Sequence, residues 1–204
     1  MGKIGTPIFL ILVSVALMTM VFYGSDRGKF TNDEKNLINS SGSIMRVLSV
    51  DNQEDSLILR QKSTDLSKSE LGSELHSELA EKMLRTVQAE QYNGVGLAAP
   101  QVGISRRIVA VCRMDKEGEP FEVYSNIQID SLTGPKVSGR EGCLSVPGYR
   151  GSVDRYQRII ISYDEIGERK SECVEGFTAV IFQHECDHLD GIIYTDKAED
   201  ISKI

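Results

Sequence analysis

The chain has 204 residues, of which 40% are hydrophobic, so it is long enough for one globular domain with a sizeable buried core. Its formal net charge is -7 and no run of basic residues occurs, so the sequence gives no indication of a nucleic-acid-binding surface. The four cysteines form no C-x-x-C pair, which favours reduced thiols in a cytosolic setting over a disulfide framework.

An apolar run lies near the N-terminus. Residues 8–24 carry no charge and, at roughly 17 residues, are at the short end for a membrane-spanning helix. A cleaved signal peptide is the alternative, but Phe22 and Tyr23 stand where a cleavage site needs small residues, so an uncleaved anchor is favoured. Basic residues are more frequent after the run than before it, which predicts that the long C-terminal part faces the cytoplasm. They are Lys3 before the run and Arg27, Lys29 and Lys35 after it.

Composition predicts three regions along the chain. Residues 1–24 form the membrane anchor or signal-like segment. Residues 25–45 are polar, with scattered Gly, Ser and Asn, and are predicted to be a linker. Residues 46–204 form the globular domain, which contains all the sequence motifs discussed below.

The first predicted element of this domain is an amphipathic helix. Its apolar residues recur every four positions, with Ser67 and Glu70 as a capping box and Gly94 as the terminator. The apolar residues are Leu71, Leu75, Leu79, Met83 and Val87.

Strands are predicted to follow, and then a second helix. Segments rich in Val and Ile predict strands at residues 107–113, 122–129 and 158–163. Residues 176–189 predict the second helix, which Gly191 ends. Because strands and helices do not alternate regularly, the predicted fold is α+β rather than a parallel doubly wound sheet. Mixed or antiparallel strands are expected to pack around the second helix.

The second helix contains the residues that are most indicative of chemistry. The stretch Gln183-His184-Glu185-Cys186-Asp187-His188 is an H-E-x-x-H motif, whose two histidines lie on one face of a helix. His184 and His188 are therefore predicted to bind one metal ion, with Glu185 close enough to handle protons at a metal-bound water. His76, the remaining histidine, falls on the polar side of the first helix and is expected to be solvated. A third ligand must then be a cysteine or a carboxylate.

Three separated segments resemble the signature motifs of peptide deformylases, in that family's order and at similar spacing. They are Gly94-Val95-Gly96-Leu97-Ala98-Ala99-Pro100-Gln101, Glu141-Gly142-Cys143-Leu144-Ser145-Val146-Pro147 and Gln183-His184-Glu185-Cys186-Asp187-His188-Leu189-Asp190-Gly191. The resemblance runs from about Val47 to about Asp196. It implies that residues 46–204 are a deformylase catalytic domain and that Cys143 is the third metal ligand, beside His184 and His188.

The resemblance also implies a reaction. Deformylases remove the N-formyl group from the N-terminal formyl-methionine of newly made proteins. A metal-bound hydroxide attacks the formyl carbon, and Glu185 is expected to be the general acid and base. The side-chain amide of Gln101 and the backbone N–H of Leu144 are expected to stabilise the developing oxyanion.

The same resemblance implies where the substrate binds. Val95, Gly96 and Leu97 are expected to lie along the peptide and to pair with it as an added strand, while the methionine side chain fills an apolar pocket. Glu141 and Arg155 are expected to form an ion pair behind the cysteine loop. An exposed pair of little energetic value is the alternative for these two residues.

Cofactor, partners and location follow as expectations. The resemblance implies Fe2+, while imidazole and thiolate ligands also accept Zn, Ni or Co. The expected partners are N-formylmethionyl peptides of nascent chains and the ribosome, without direct nucleic-acid binding. The catalytic domain is expected to be a monomer that faces the cytoplasm, anchored to the membrane through residues 8–24.

Two other functions remain open on the H-E-x-x-H motif alone. Another metallohydrolase with this motif, such as a peptidase, would need a histidine or a glutamate downstream, and Glu199 is the only such residue after His188. A non-catalytic protein with a structural metal would need a fourth ligand from Cys112, Cys173 or Cys186. Cys186 lies on a different helical face from the histidines, and Cys112 lies in an apolar strand, so both are predicted to be buried core residues.

Overall fold

The structure is a computed structural model that describes residues 28–165 and 167–204. The predicted anchor, residues 8–24, lies outside the described residues. Within residues 28–165 and 167–204, no helix combines the length and the apolar composition that crossing a membrane requires.

A six-stranded antiparallel sheet is the framework of the described residues. Its strands are β1 (Gly96–Ala98), β2 (Ile108–Cys112), β3 (Phe121–Cys143), β4 (Val146–Glu165), β5 (Glu168–Glu175) and β6 (Ile201–Lys203). Strands β1 to β5 are neighbours in chain order, and β6 pairs with β4. The antiparallel order, with helices before and after the main run of strands, confirms the predicted α+β fold.

Strands β3 and β4 form a hairpin that is much longer than predicted. Cys143 pairs with Val146, so Leu144 and Ser145 form a two-residue turn at its tip. The predicted strands cover only the inner part of the hairpin, because most residues from 130 to 140 are exposed and show no alternation of apolar and polar residues. Several register shifts interrupt the pairing, as β-bulges do.

Two helices cover opposite faces of the sheet at β1 and β2. The α-helices of the described residues are α1 (Asn32–Ser40), α2 (Gln53–Leu59), α3 (Glu74–Gln88) and α4 (Gly176–Leu189). Along β2, Ile108 and Ala110 pack in the core cluster of α3, whereas Val109 and Val111 pack in the cluster of α4. Alternate residues of a strand point to opposite faces, so β2 is buried on both sides. Helix α4 has the predicted bounds and is followed by Gly191 at a left-handed φ of 73°.

The segment predicted as a linker, residues 25–45, contains helix α1. Thr31 and Glu34 form a reciprocal capping box at its start. Ile38 is completely buried and packs in the core cluster that also contains residues of α3. A nine-residue helix with few apolar residues gives too weak a periodicity to be recognised from the sequence. The division of the chain at residue 46 stays a prediction.

Buried polar contacts attach α1 to the remainder of the domain. Arg106 Nη2 donates to Glu34 Oε2 at 2.8 Å, and both side chains are buried. The guanidinium of Arg106 also lies 5.9 Å from the ring centroid of Phe30, a cation–π distance. At the other end of α1, Lys82 Nζ donates to the backbone carbonyl of Ile38. The helix is thus held at both ends by side chains of the globular domain.

Helix α3 is shorter than predicted at both ends. Ser73 caps its start instead of Ser67, because Gly72 has a left-handed φ of 75° that interrupts the helical conformation. At its other end the backbone becomes extended at Ala89, so the helix stops before the predicted terminator, Gly94.

Candidate active site

Three side chains from separate parts of the sequence bring metal-binding atoms together. Helix α4 carries His184 and His188 one turn apart, with their ring centroids 5.1 Å from each other. The tip of the β3–β4 hairpin brings Cys143 Sγ to 3.2 Å from His188 Nε2. The ligand atoms of the three residues all lie within 4.8 Å of one another. The fold therefore brings together the three side chains that are expected to bind the metal ion.

The donor atoms of this group fit a divalent transition metal. Two imidazole nitrogens and one thiolate sulfur suit Fe, Zn, Ni or Co, and three protein ligands leave a coordination position open, as catalytic sites do. Burial, and then the neighbouring His184, hold the pKa of His188 well below its usual value. His188 is thus neutral, which is the form of imidazole that binds a metal ion.

A buried ion pair orients His184. Arg155 Nε and Nη2 donate to the two oxygens of Glu141 at 2.7 and 2.8 Å, and Glu141 Oε2 also accepts from His184 Nδ1 at 2.8 Å. Burial raises the pKa of Glu141, but the hydrogen bonds from Arg155 and His184 outweigh it and lower the pKa to about 2. The carboxylate holds the proton on Nδ1, so Nε2 is the nitrogen of His184 that can bind a metal ion once it is deprotonated. The side chains of Arg155 and Glu141 are 4% and 7% exposed, so the predicted ion pair is confirmed and the alternative of an exposed pair is wrong.

The other candidate ligands lie apart from this group. Cys112 and Cys186 are buried, as predicted, and Cys173 is exposed. His76 is not solvated as expected, because the start of α3 packs against β3 and its Nε2 hydrogen-bonds to Ser125 Oγ at 2.8 Å. Within residues 28–165 and 167–204, the ligand group thus has three members and no fourth cysteine.

Glu185 lines the same cavity as Cys143 and His184, with one buried carboxylate oxygen unpaired. The residue is 4% exposed, and its Oε2 has no hydrogen-bond partner among the described residues. Burial raises the pKa of Glu185 to about 7, against the opposing effect of His184. A buried carboxylate oxygen without a donor is costly, and it is typical of a group that meets a ligand or a reactant.

Gln101 lines the same cavity as Glu185, and its amide has a defined orientation. The backbone N–H of Ala98 donates to Gln101 Oε1 at 2.8 Å, so Oε1 and Nε2 are distinguished. Gln101 Nε2 lies 3.5 Å from Cys143 Sγ and 3.2 Å from Ser145 Oγ. Leu144, at the hairpin tip between these two residues, lines the same cavity as Gln101.

A cavity of about 480 Å³ contains most of the predicted site residues. Its lining includes Val95, Gly96, Gln101, Cys143, Leu144, His184 and Glu185. His188 is 1% exposed and lies behind the cavity wall. The side chain of Leu97 does not line the cavity either, because it points to the other face of β1 and is buried in the core cluster of α3.

The sequence analysis did not identify the apolar wall of the cavity. Phe177, Val180 and Ile181 line it, and all three belong to α4. Val180 and Ile181 precede His184 and Glu185 by four positions, and Phe177 precedes Val180 and Ile181 by three and four, so they line the same side of the helix, and this spacing was the available signal. Tyr149 and Arg150 of β4 also line the cavity, and no sequence pattern pointed to them.

A family model, two sequence relatives and a solved structure match this chain, and all are of deformylases. Residues 44–203 match the family model described as polypeptide deformylase. The chain is 43% identical to the peptide deformylase of Desulforudis audaxviator (strain MP104C) over 147 residues, which cover 72% of this chain and 90% of the relative. It is 39% identical to the peptide deformylase of Leptospira biflexa serovar Patoc over 148 residues, which cover 69% of this chain and 82% of the relative. A solved structure, the Met-Ala-Ser-bound class I type b peptide deformylase of Acinetobacter baumannii, has a TM-score of 0.67 and 35% identity, covering 76% of this chain and 98% of that one.

Gly96 is expected to be required by close packing at the cavity. A Cβ added there would lie 2.4 Å from Glu185 Oε1 and 2.8 Å from Ile181 Cγ2. Gly96→Ala should therefore lower the free energy of unfolding by about 1–3 kcal/mol, the usual cost of overpacking, as measured by urea denaturation. Gly139→Ala is the matched control, because Gly139 is also in a strand and an added Cβ meets nothing within 4 Å. Equal stability of the two variants would contradict the close approach.

Proposed function

Since the chain belongs to the polypeptide deformylase family, we propose that Cys143, His184 and His188 bind the metal ion on which its reaction depends. The chain is a metal-dependent hydrolase that removes the N-formyl group from formyl-methionyl peptides. Its family membership does not favour the two alternatives, another H-E-x-x-H metallohydrolase and a non-catalytic metal-binding protein. The convergence of one thiol and two imidazoles from separate motifs carries the ligand proposal.

Iron is the metal proposed for this site. When bound, the divalent ion supplies a Lewis acid that acidifies a water molecule and polarises the formyl carbonyl. The ligand set also accepts Zn, Ni and Co, and the proposal of Fe2+ rests on the resemblance of the three motifs. Metal content and activity of anaerobically purified protein would identify the metal.

Glu185 is proposed as the general acid and base. Glu185 lines the cavity together with His184, and its Oε2 is buried without a partner among the described residues. Burial raises the pKa of Glu185 to about 7, near the pH at which proton transfer in both directions is efficient. Glu185 takes the proton from the attacking water and then delivers it to the amine nitrogen as the bond to the formyl carbon breaks. The products are formate and a peptide with a free amino group.

Two donors are proposed to stabilise the charge on the formyl oxygen. Gln101 Nε2 is directed towards Cys143 by the hydrogen bond between Ala98 N–H and its own Oε1. The backbone N–H of Leu144, at the hairpin tip beside Cys143, is proposed as the second donor. Fixed donors of this kind favour the transition state because they need no reorientation as charge develops.

The substrate peptide is proposed to bind as an added strand on β1. This strand is at the end of the sheet order, so one of its edges has no strand partner among the described residues. Val95 and Gly96 line the cavity at this edge, and Leu97 would contribute its backbone alone. The apolar wall that includes Phe177 and Ile181 is proposed to hold the methionine side chain.

Cys143→Ser is expected to lose most of the bound metal and nearly all activity, because a hydroxyl is a poor substitute for a thiolate ligand. Metal content per chain, measured by mass spectrometry after anaerobic purification, tests this expectation. Cys173→Ser is the matched control, since Cys173 is exposed and should leave the metal in place. Full metal content in Cys143→Ser would overturn the ligand assignment.

Glu185→Gln is expected to retain the metal and to lose activity by a factor on the order of 100 or more, because the amide cannot transfer the proton. Turnover of a formyl-Met-Ala-Ser peptide, with metal content measured in the same sample, gives the comparison. The exposed Glu168→Gln serves as the control. A metal-loaded Glu185→Gln protein that works near the wild-type rate would exclude Glu185 as acid and base.

The chain is also proposed to be anchored to the membrane with its catalytic domain in the cytoplasm. The apolar composition of residues 8–24 and the basic residues that follow them support this location. It would also place the enzyme on the side where formylated nascent chains leave the ribosome.

Membrane fractionation and protease access test this location. The full chain should sediment with membranes and resist protease added to spheroplasts, whereas a variant without residues 8–24 should stay in the supernatant. Digestion of the catalytic domain from outside, or a mature chain that begins near Ser25, would contradict the proposed anchor.

A further inference from the structure

A series of hydrogen-bonded charged side chains extends from Glu141 to the outer side of α4. Arg155, which binds Glu141 through two nitrogens, donates from its third nitrogen, Nη1, to Asp187 Oδ2 at 2.6 Å. Asp187 follows Glu185 by two positions in the motif helix and does not line the active-site cavity. We propose that Asp187 is a positioning residue for His184, acting through Arg155 and Glu141, and that it sets the affinity of the site for its metal ion. This inference rests on the assignment of His184 as a ligand under the proposed function.

The geometry leaves the guanidinium of Arg155 no freedom. Its Nε and Nη2 face Glu141 at 2.7 and 2.8 Å, and its Nη1 faces Asp187. The side chain is 4% exposed, and those of Glu141 and Asp187 are 7% and 14% exposed. Two carboxylates from different elements, β3 and α4, therefore hold one planar cation at opposite edges.

Loss of the Asp187 carboxylate would release one of these edges. Arg155 Nη1 would then be a buried charged donor without an acceptor, which is more costly than the loss of an exposed ion pair. Movement of the guanidinium towards water would relieve that cost and would carry Glu141 with it. Because Glu141 Oε2 accepts from His184 Nδ1, such a shift would turn the imidazole away from Cys143 and His188.

Lys197 allows the geometric effect to be separated from a purely electrostatic one. Its Nζ lies 2.6 and 2.8 Å from the two oxygens of Asp187, and its side chain is 39% exposed. Removal of Asp187 alone raises the local charge by one, which by itself weakens the binding of a cation. Removal of Lys197 in the same protein restores the charge but does not restore an acceptor for Arg155.

The experiment measures the affinity of the full-length chain for Zn2+ alone, by competition with a chromophoric chelator. Asp187→Leu should bind Zn2+ on the order of 10- to 100-fold more weakly than wild type, as is usual when an outer hydrogen-bond partner of a ligand is removed. Asp187→Asn, which keeps one acceptor oxygen, should lose much less. The double variant Asp187→Leu with Lys197→Met should stay as weak as Asp187→Leu.

Asp190→Leu is the matched control. Asp190 follows the same helix and forms an ion pair with Arg107 at 2.9 Å, outside the chain of charges that reaches His184. It should bind Zn2+ like wild type. If Asp187→Leu does not give the circular dichroism spectrum of the wild type, Asp187→Ser is used for the same comparison.

Two results would overturn the inference. Recovery of wild-type affinity in the double variant would show that charge alone acts, and equal affinities of Asp187→Leu and Asp190→Leu would show that Asp187 has no part in positioning. Failure of the wild-type chain to bind Zn2+ would overturn the ligand assignment itself and the inference with it. A weak double variant beside a wild-type-like Asp190→Leu supports the inference.

Discussion

The buried ion pair between Glu141 and Arg155 is the interaction on which the metal site depends. Each of its charges would be strongly disfavoured alone in this environment, so each requires the other. The carboxylate has oxygens enough to hold the guanidinium and still accept the Nδ1 proton of His184. An ion pair between two strands thereby selects the tautomer of His184, the ligand proposed on α4.

The position of that ion pair follows from the two helices that cover opposite faces of the sheet at β1 and β2. Because β2 is buried on both faces, α4 is pressed against the sheet on one side while α3 covers the other. The hairpin tip then brings Cys143 against His188 of α4, and Gly96 lets β1 approach Glu185 closely. The proposed ligands, proton carrier and substrate edge thus come from α4, the β3–β4 hairpin and β1, which this packing brings together.

The helix of the active site was predictable with its bounds, whereas the surrounding elements were only partly so. Residues 176–189 follow the helical period closely, and Gly191 supplies a clear stop. The i, i+4 spacing predicts that His184 and His188 can bind the same metal ion, but only the resemblance of the hairpin segment indicated Cys143. No local pattern could show that the imidazole and the thiol would meet, because that contact depends on the tertiary fold.

The errors have a common physical origin. Helix α1, the outer half of the β3–β4 hairpin and the late start of α3 are all set by contacts with distant residues or by one left-handed glycine, not by a repeating apolar pattern. His76 was expected in solvent because its own helix face is polar, but a strand packs against that face. The sequence also gives no sign of which way the Leu97 side chain points, since three residues of β1 are too few to show an alternation.

The contact between Glu34 and Arg106 has a consequence for where the folding unit begins. The family match starts at residue 44, yet Arg106, which lies within it, is 5% exposed and has its carboxylate partner at residue 34. A chain trimmed to the matched range would lose that carboxylate and also the burial of Ile38 in the core, which is worth about 1.5–3 kcal/mol. A whole domain is stable by only about 5–15 kcal/mol, so this loss is a large part of the total. The stable folding unit of this chain therefore begins before residue 44, where the family match starts.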